Sequence, residues 1–330
     1  MISESMLYLY LIKCVETYNQ TNTMKRIFIV AVAILALISC DKIDVKTIKR
    51  IVIRGNASYE EVFNKVATPL SEGQTKLHLM LPEEPSDEMF KAIRRALIET
   101  EEVADGSIDM TLWGAKVIGE DAFAYHADLN NEYVNELKSV TLPDAVEIKR
   151  YAFYGCRELI TFSAPEVKTI GTNVFVICSK LVNINLPKAE RIDDGALHNI
   201  NNLTSICLPE LKELPRHMFS SCDNLETVIL PRVTRIREMA FENVTSLKTI
   251  VFGAPIEIVE GDIFSIHGEL QANHTEHIDL VLSKEQRRMV NDSYDEQNPR
   301  AGFWHASGGA FDFSSNEFIG YRFKSIKPYE

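Results

Sequence analysis

Leucine opens each of six consecutive segments, at Leu137, Leu159, Leu181, Leu203, Leu225 and Leu247, always 22 residues apart. Inside a segment, positions 4 and 6 are apolar: Val140 and Leu142, Ile184 and Leu186, Val228 and Leu230. Apolar residues two apart predict a short strand with one face in the core. Proline at position 7 (Pro143, Pro165, Pro187, Pro209, Pro231) removes a ladder donor and ends that strand. Further interior positions follow at 12 (Ile148, Ile170, Ile192, Leu214, Ile236) and 17 (Phe153, Phe175, Leu197, Phe219, Phe241). One such segment cannot bury its own apolar side. Stacking equivalent strands about 4.8 Å apart gives a continuous sheet and core. The sixth segment carries one extra residue near Pro255, and a degenerate earlier copy reads from Ser107 to Phe123, followed by an insertion before the regular array.

The pattern L-x-x-[IV]-x-L-P…I-x-x-x-A-F-x-x-C resembles the BspA-type leucine-rich repeat. That resemblance covers about residues 107–270 and implies an α/β leucine-rich-repeat solenoid of 22-residue coils, strand-rich with short helical turns. Proline stands where better-known leucine-rich repeats carry an asparagine ladder. Proteins with BspA-type repeats are common on the surfaces of anaerobic gut and oral bacteria and include adhesins. The resemblance therefore implies a surface protein that binds another protein, and adhesion is an analogy of fold.

Solenoid ends expose apolar faces and need caps. Residues 47–106 are read as a small α/β cap: TIKRIVIRG and TKLHLMLP as strands, Ser58 and Ser86 as the starts of two helices, with Met89, Phe90, Ile93 and Leu97 on one face of the second. Residues 107–270 are the solenoid and 271–330 a short C-terminal cap. There HIDLVLS reads as a strand, Ser283 to Gln286 as a capping box opening a short helix, and NEFIGYRFKSI as the last strand.

Hydrophobicity is concentrated in one early run, Phe28–Ser39, about 12 residues against the roughly 17–25 that a membrane span needs. With Lys25 and Arg26 before it, the run fits a signal peptide. Translation is read as beginning at Met24, the alternative being an unusually long leader. Leu37-Ile38-Ser39-Cys40 resembles the lipobox of bacterial lipoproteins, which implies lipid attachment at Cys40 and a linker over residues 40–46; a plain secretory signal is the other reading. Several acyl chains hold a protein stably where one is marginal. The expected location is thus the cell envelope, anchored in the outer membrane or at the cell surface.

Removal of residues 1–39 takes away three basic and two acidic residues, leaving 32 against 45 and a net charge of −13. Such a surface repels phosphate backbones, so nucleic acid is not expected as a partner.

The outward strand positions are the candidate contact face. Position 3 runs Ser139, Thr161, Asn183, Ser205, Thr227, Thr249; position 5 runs Thr141, Ser163, Asn185, Cys207, Ile229, Val251. Serine and threonine also suit an exposed strand that binds nothing. The face has neither charge nor a row of rings, which favours a protein ligand over a polysaccharide; aromatic clustering in Tyr125–Tyr133 or around Trp304 would favour the polysaccharide.

Cysteines recur at position 20 as Cys156, Cys178 and Cys222. Stacked coils put Cys156 within disulfide reach of Cys178, but Ile200 and Val244 hold the same position in other coils, so a ladder of buried thiols is expected instead. His267, His274 and His277 are the only metal-like cluster and are read as a solvated loop, since the His-Glu-x-x-His helix is missing. No cofactor and no catalytic group is expected.

Overall fold

The computed structural model describes residues 50–124, 133–266, 275–291 and 303–329. Residues Ile51–Tyr329 form one compact unit. The leader, with the start expected at Met24 and the lipid site expected at Cys40, lies outside the described residues.

The N-terminal cap is built as strand β1 (Ile51–Val52), helix α1 (Tyr59–Ser71), strand β2 (Lys76–Met80), helix α2 (Asp87–Glu99) and strand β3 (Ile108–Trp113). Both helices start where a serine side chain satisfies an orphan amide: Ser58 Oγ accepts from Glu61 N at 3.2 Å, and Ser86 Oγ from Met89 N at 3.3 Å. The two strand–helix crossovers place β1, β2 and β3 side by side and parallel, and β3 then pairs with the first full coil. The cap therefore continues the solenoid sheet instead of merely covering its end.

Coils 1 to 6 begin at Leu137, Leu159, Leu181, Leu203, Leu225 and Leu247. Their pairing register advances by 22 residues per coil: Ser139 opposite Thr161, Thr161 opposite Asn183, Ser205 opposite Thr227, Thr227 opposite Thr249. Each coil contains a second, two- or three-residue strand at positions 11 and 12, which the position-12 apolar pattern did not reveal. Glu147–Ile148 pairs with Thr169–Ile170, for example, and that pair with Arg191–Ile192. Every regular coil thus crosses two parallel sheets.

Positions 14 to 20 return the chain through turns, with no helix among the described residues of the coils. Two residues of that return are left-handed in coil after coil. Position 15 holds Tyr151, Asn173, Gly195, His217 and Met239, with φ between 51° and 64°; position 19 holds Gly155, Ile177, Asn199, Ser221 and Asn243, between 56° and 77°. Left-handed backbone costs a non-glycine residue roughly 1–2 kcal/mol. Bonds between neighbouring turns offset the cost. Tyr151 N donates to Thr172 O (3.0 Å), Phe153 N to Val174 O (3.1 Å) and Gly155 N to Val176 O (2.9 Å).

The core is one cluster running from the cap helices to the C-terminal strands. Its spine is a file of position-17 rings. Phe123 stacks on Phe153 at 5.3 Å between centroids and Phe153 on Phe175 at 5.9 Å; Phe219 stacks on Phe241 at 5.6 Å and Phe241 on Phe264 at 5.2 Å. Leu197 interrupts the file in coil 3. Phe90 of α2 meets one end edge-on, and Tyr321 and Phe323 meet the other.

The C-terminal segment extends both sheets. Strand Asp279–Ser283 pairs in parallel with coil 6, and strand Ser325–Tyr329 closes that sheet. The second sheet ends on antiparallel strands Phe303–Ala310 and Arg287–Asn291. The helix expected after Ser283 does not form: Ser283 to Gln286 is a turn, with Gln286 N bonded to Ser283 O at 2.9 Å. The reason is tertiary. Fully buried Gln286 accepts from Ile256 N (2.7 Å) and donates to Ile256 O (2.9 Å), standing in for the strand neighbour that coil 6 lacks there.

Candidate functional site

The strand face is set by alternation. Core-facing positions 4 and 6 pull the strand against the interior, so positions 3 and 5 face outward. Ser139, Thr161, Asn183, Ser205, Thr227 and Thr249 are all half-buried, as are Thr141, Ser163, Asn185, Cys207 and Ile229. In-register pairing aligns these into two rows within coils 1 to 3 and again within coils 4 to 6. Polar links run along the rows: Ser139 Oγ donates to Asp109 Oδ1 of β3 (2.6 Å), and Asn185 Nδ2 donates to Ser163 Oγ (3.0 Å). Asp279, opposite Thr249, continues the position-3 row to Ser325 of the closing strand and is bonded to Lys324 Nζ and Ser325 Oγ.

Val251 does not belong to the face. It is 1 % exposed, paired between Ile229 and Val281, and it lies outside the main core cluster, so the sheet is covered on its outer side at that coil. An apolar residue between apolar neighbours is where burial is cheapest. The contact rows therefore narrow at coil 6.

Charge is kept beside the face. At position 8, Lys188 Nζ bonds Glu166 Oε2 (2.6 Å) and Arg232 bonds Glu210; at position 2, Lys248 bonds Glu226. These exposed pairs contribute little stability, about 0–1 kcal/mol each, and leave the rows between them uncharged.

Of the aromatic groups that would favour a polysaccharide, the ring of Tyr133 is covered by the Arg157 guanidinium at 3.7 Å, and Trp304 packs half-buried against the core. Tyr125 lies outside the described residues. So do His267 and His274, while His277 is exposed in a turn.

The position-20 cysteines form a buried ladder of free thiols. Each donates to the position-17 carbonyl one coil back: Cys156 to Phe123 O (3.4 Å), Cys178 to Phe153 O (3.2 Å), Cys222 to Leu197 O (3.1 Å). Burial pushes all three thiols up, Cys222 to about 12, which makes them poor nucleophiles.

A polar cleft on the turn side was missed in the sequence. It encloses about 490 Å³ and draws on coils 2 to 5, with Asn173, Asp194, His198, His217, Ser220 and Glu242 among its walls. It opens because Gly195 holds position 15 in coil 3. A Cβ there would meet Asn173 Oδ1 at 2.3 Å. His217 Nδ1 lies 3.1 Å from Glu242 Oε2, and Ser220 Oγ donates to the same oxygen at 2.9 Å. The His198 and His217 rings stack at 6.4 Å. Burial, then the charge of His217, holds His198 below the usual imidazole range. Ser220 Oγ donates to a carboxylate and not to an imidazole, so the pair is not the serine–histidine arrangement of a catalytic triad. Among the described residues no group of three or more His, Cys, Asp or Glu side chains is arranged to hold a metal ion. Comparing positions 15 and 18 across the coils would have found this cleft.

Six copies of the BspA type leucine-rich repeat region match the sequence, over residues 114–210 and 146–271. The repeat region, residues 114–271, thus matches the BspA-type leucine-rich repeat. Among solved structures, the chain is 29% identical to a leucine rich cell surface protein from Faecalibacterium prausnitzii A2-165, over 43% of its own length and 44% of that chain, with a TM-score of 0.37. It is 21% identical to the T. pallidum leucine rich repeat protein, over 52% of this chain and 78% of that one, with a TM-score of 0.43. A leucine-rich repeat protein from Eubacterium ventriosum ATCC 27560 is 23% identical over 48% and 44%, with a TM-score of 0.39. The match thus spans less than half of the Faecalibacterium chain. Among curated proteins none matches.

Proposed function

We propose that this protein is a cell-envelope lipoprotein, tethered through acylated Cys40, that binds a protein partner along its strand face. The observation that supports the binding role most is the pair of uncharged, half-buried rows at positions 3 and 5, held in register by strand pairing within each of the two sheets that carry them. Solenoids offer such stacked strands as extended contact surfaces. Small hydroxyl and amide side chains there match a partner's polar backbone and side-chain groups, and Ile229 adds an apolar point towards coil 5. The lipobox-like Leu37-Ile38-Ser39-Cys40 supports the anchor.

The test uses the mature chain as bait on intact neighbouring cells and on arrays of proteins and polysaccharides. Thr161→Lys, Asn183→Lys and Thr227→Lys together should reduce capture of a protein partner at least tenfold while the melting temperature stays within a few degrees. Full-strength binding by the triple variant would remove the strand face as the site. Binding of polysaccharides and no proteins would overturn the choice of partner.

A further inference from the structure

Coils 3 and 4 are joined differently from their neighbours. From the N-terminal cap to coil 3 the strands make a six-stranded and a four-stranded sheet; from coil 4 to the C-terminus they make two five-stranded sheets. Both sheets stop at the same boundary, between Asn183–Asn185 and Ser205–Cys207 on one side and between Arg191–Ile192 and Glu213–Leu214 on the other.

Three features of composition fall at that boundary. Position 13 elsewhere donates to the position-12 carbonyl one coil back, as Gly171 N does to Ile148 O (2.8 Å), Asp193 N to Ile170 O (2.8 Å) and Arg237 N to Leu214 O (2.9 Å). Coil 4 has Pro215 there, with no N–H to give. The ring file breaks at Leu197, so Phe175 and Phe219 stack only away from each other. Charge pairs also turn away: Lys188 bonds back to Glu166, and Glu210 bonds forward to Arg232. The packing records the result. Ile184 of coil 3 is half-buried, whereas its counterparts Val140, Phe162, Ile206, Val228 and Ile250 are buried.

What continues across is the turn strip. Gly195 N bonds Arg216 O (2.9 Å), Asn199 N bonds Ser220 O (2.9 Å), Arg216 N bonds Asp194 Oδ1 (3.2 Å) and Cys222 Sγ bonds Leu197 O.

We propose that the coil 3–coil 4 boundary is a hinge, with the turn strip as pivot and the two sheet edges as the side that opens. Residues 51–202 and 203–329 then behave as separate cooperative blocks. In a stack whose coils touch only their neighbours, one weak interface is enough to divide cooperativity. Opening changes the separation of Asn183 and Asn185 from Ser205 and Cys207, so the strand face adjusts its curvature to what it meets. This consequence rests on the binding role proposed above; the hinge itself does not.

Native-state hydrogen exchange on the mature chain, read peptide by peptide by mass spectrometry, separates the two. Phe241→Leu should speed exchange roughly tenfold in coils 4 to 6 and leave coils 1 to 3 unchanged, and Phe162→Leu should do the reverse. Equal acceleration in both blocks by either variant overturns the proposal. Leu197→Phe with Pro215→Ala, which restores the ring and the donor, should merge the blocks so that Phe241→Leu is then felt throughout. Continued independence of the blocks in that background would show that these two residues are not the cause and overturn the hinge as argued. A variant that alters partner binding without altering exchange bears only on the strand face.

Discussion

Cys178 donates its thiol hydrogen to the carbonyl oxygen of Phe153, 3.2 Å away and one coil back. The two residues mark where the interior of each coil is tied to the next: a ring at position 17 fills the core, and a thiol at position 20 satisfies that ring's own backbone. Serine or asparagine would add polar atoms with no further partner, and valine, as in coil 5, gives up the bond but keeps the volume.

The thiols therefore differ in reactivity. In the native chain an alkylating reagent at pH 8 should modify half-buried Cys207 and spare Cys156, Cys178 and Cys222, all buried and free. Burial raises the pKa of these three, so the folded state holds the neutral thiol at that pH. Peptide mapping before and after denaturation checks this. Native labelling of Cys178 at the rate of Cys207 would contradict the buried ladder.

Phe153 stacks on rings to both sides, at 5.3 and 5.9 Å, and is fully buried. Phe153→Ala should cost about 3–5 kcal/mol. A lowered denaturant midpoint at constant slope is the expected signature.

His198 has its pKa lowered by burial and by its neighbour His217. Below the unfolded imidazole value of about 6.5, the unfolded chain takes up a proton that the folded chain resists. Stability from this group is present above that pH and is lost as pH falls towards the folded pKa. The melting temperature of His198→Gln should accordingly decline less than that of the parent between pH 7.5 and 5.

Asp279 is partly desolvated, which raises its pKa, but bonds from Ser325 and Lys324 outweigh this and leave the carboxyl below its usual value. Asp279→Asn should loosen the last strand at a cost of about 1 kcal/mol, discounted for the exposure of Lys324. The stability in question is present above about pH 4 and lost below it. Faster amide exchange confined to 325–329 and its partner strand would show it.

Cys40→Ser should move the protein from the membrane fraction to the soluble fraction. Mass spectrometry of the parent should find acyl chains on a new N-terminus at Cys40. An unmodified N-terminus at another residue would remove the anchor.

The coil period and the core positions were legible because they repeat. Burial of one face demands the same residue type every 22 residues, and six copies, from Leu137 to Leu247, make that demand visible. The serine caps at Ser58 and Ser86 were legible for a related reason: a cap is satisfied within three residues. Positions 3 and 5 followed from strand alternation, with Val251 the exception, since burial from the outer side carries no mark in its own coil.

What only the tertiary structure decided depends on partners far along the chain. Two-residue strands such as Glu147–Ile148 have no internal pattern and exist because the next coil pairs with them. Left-handed Tyr151 and Met239 contradict local preference and are held by bonds between turns. Gln286 belongs to a capping signal, yet its amide is spent on the backbone of Ile256, 30 residues earlier. The polar cleft and the break between coils 3 and 4 arise from single departures, Gly195, Leu197 and Pro215, whose effect is set by the residues stacked above and below. Repetition wrote the architecture into the sequence; the exceptions acquire their meaning only once the coils are stacked.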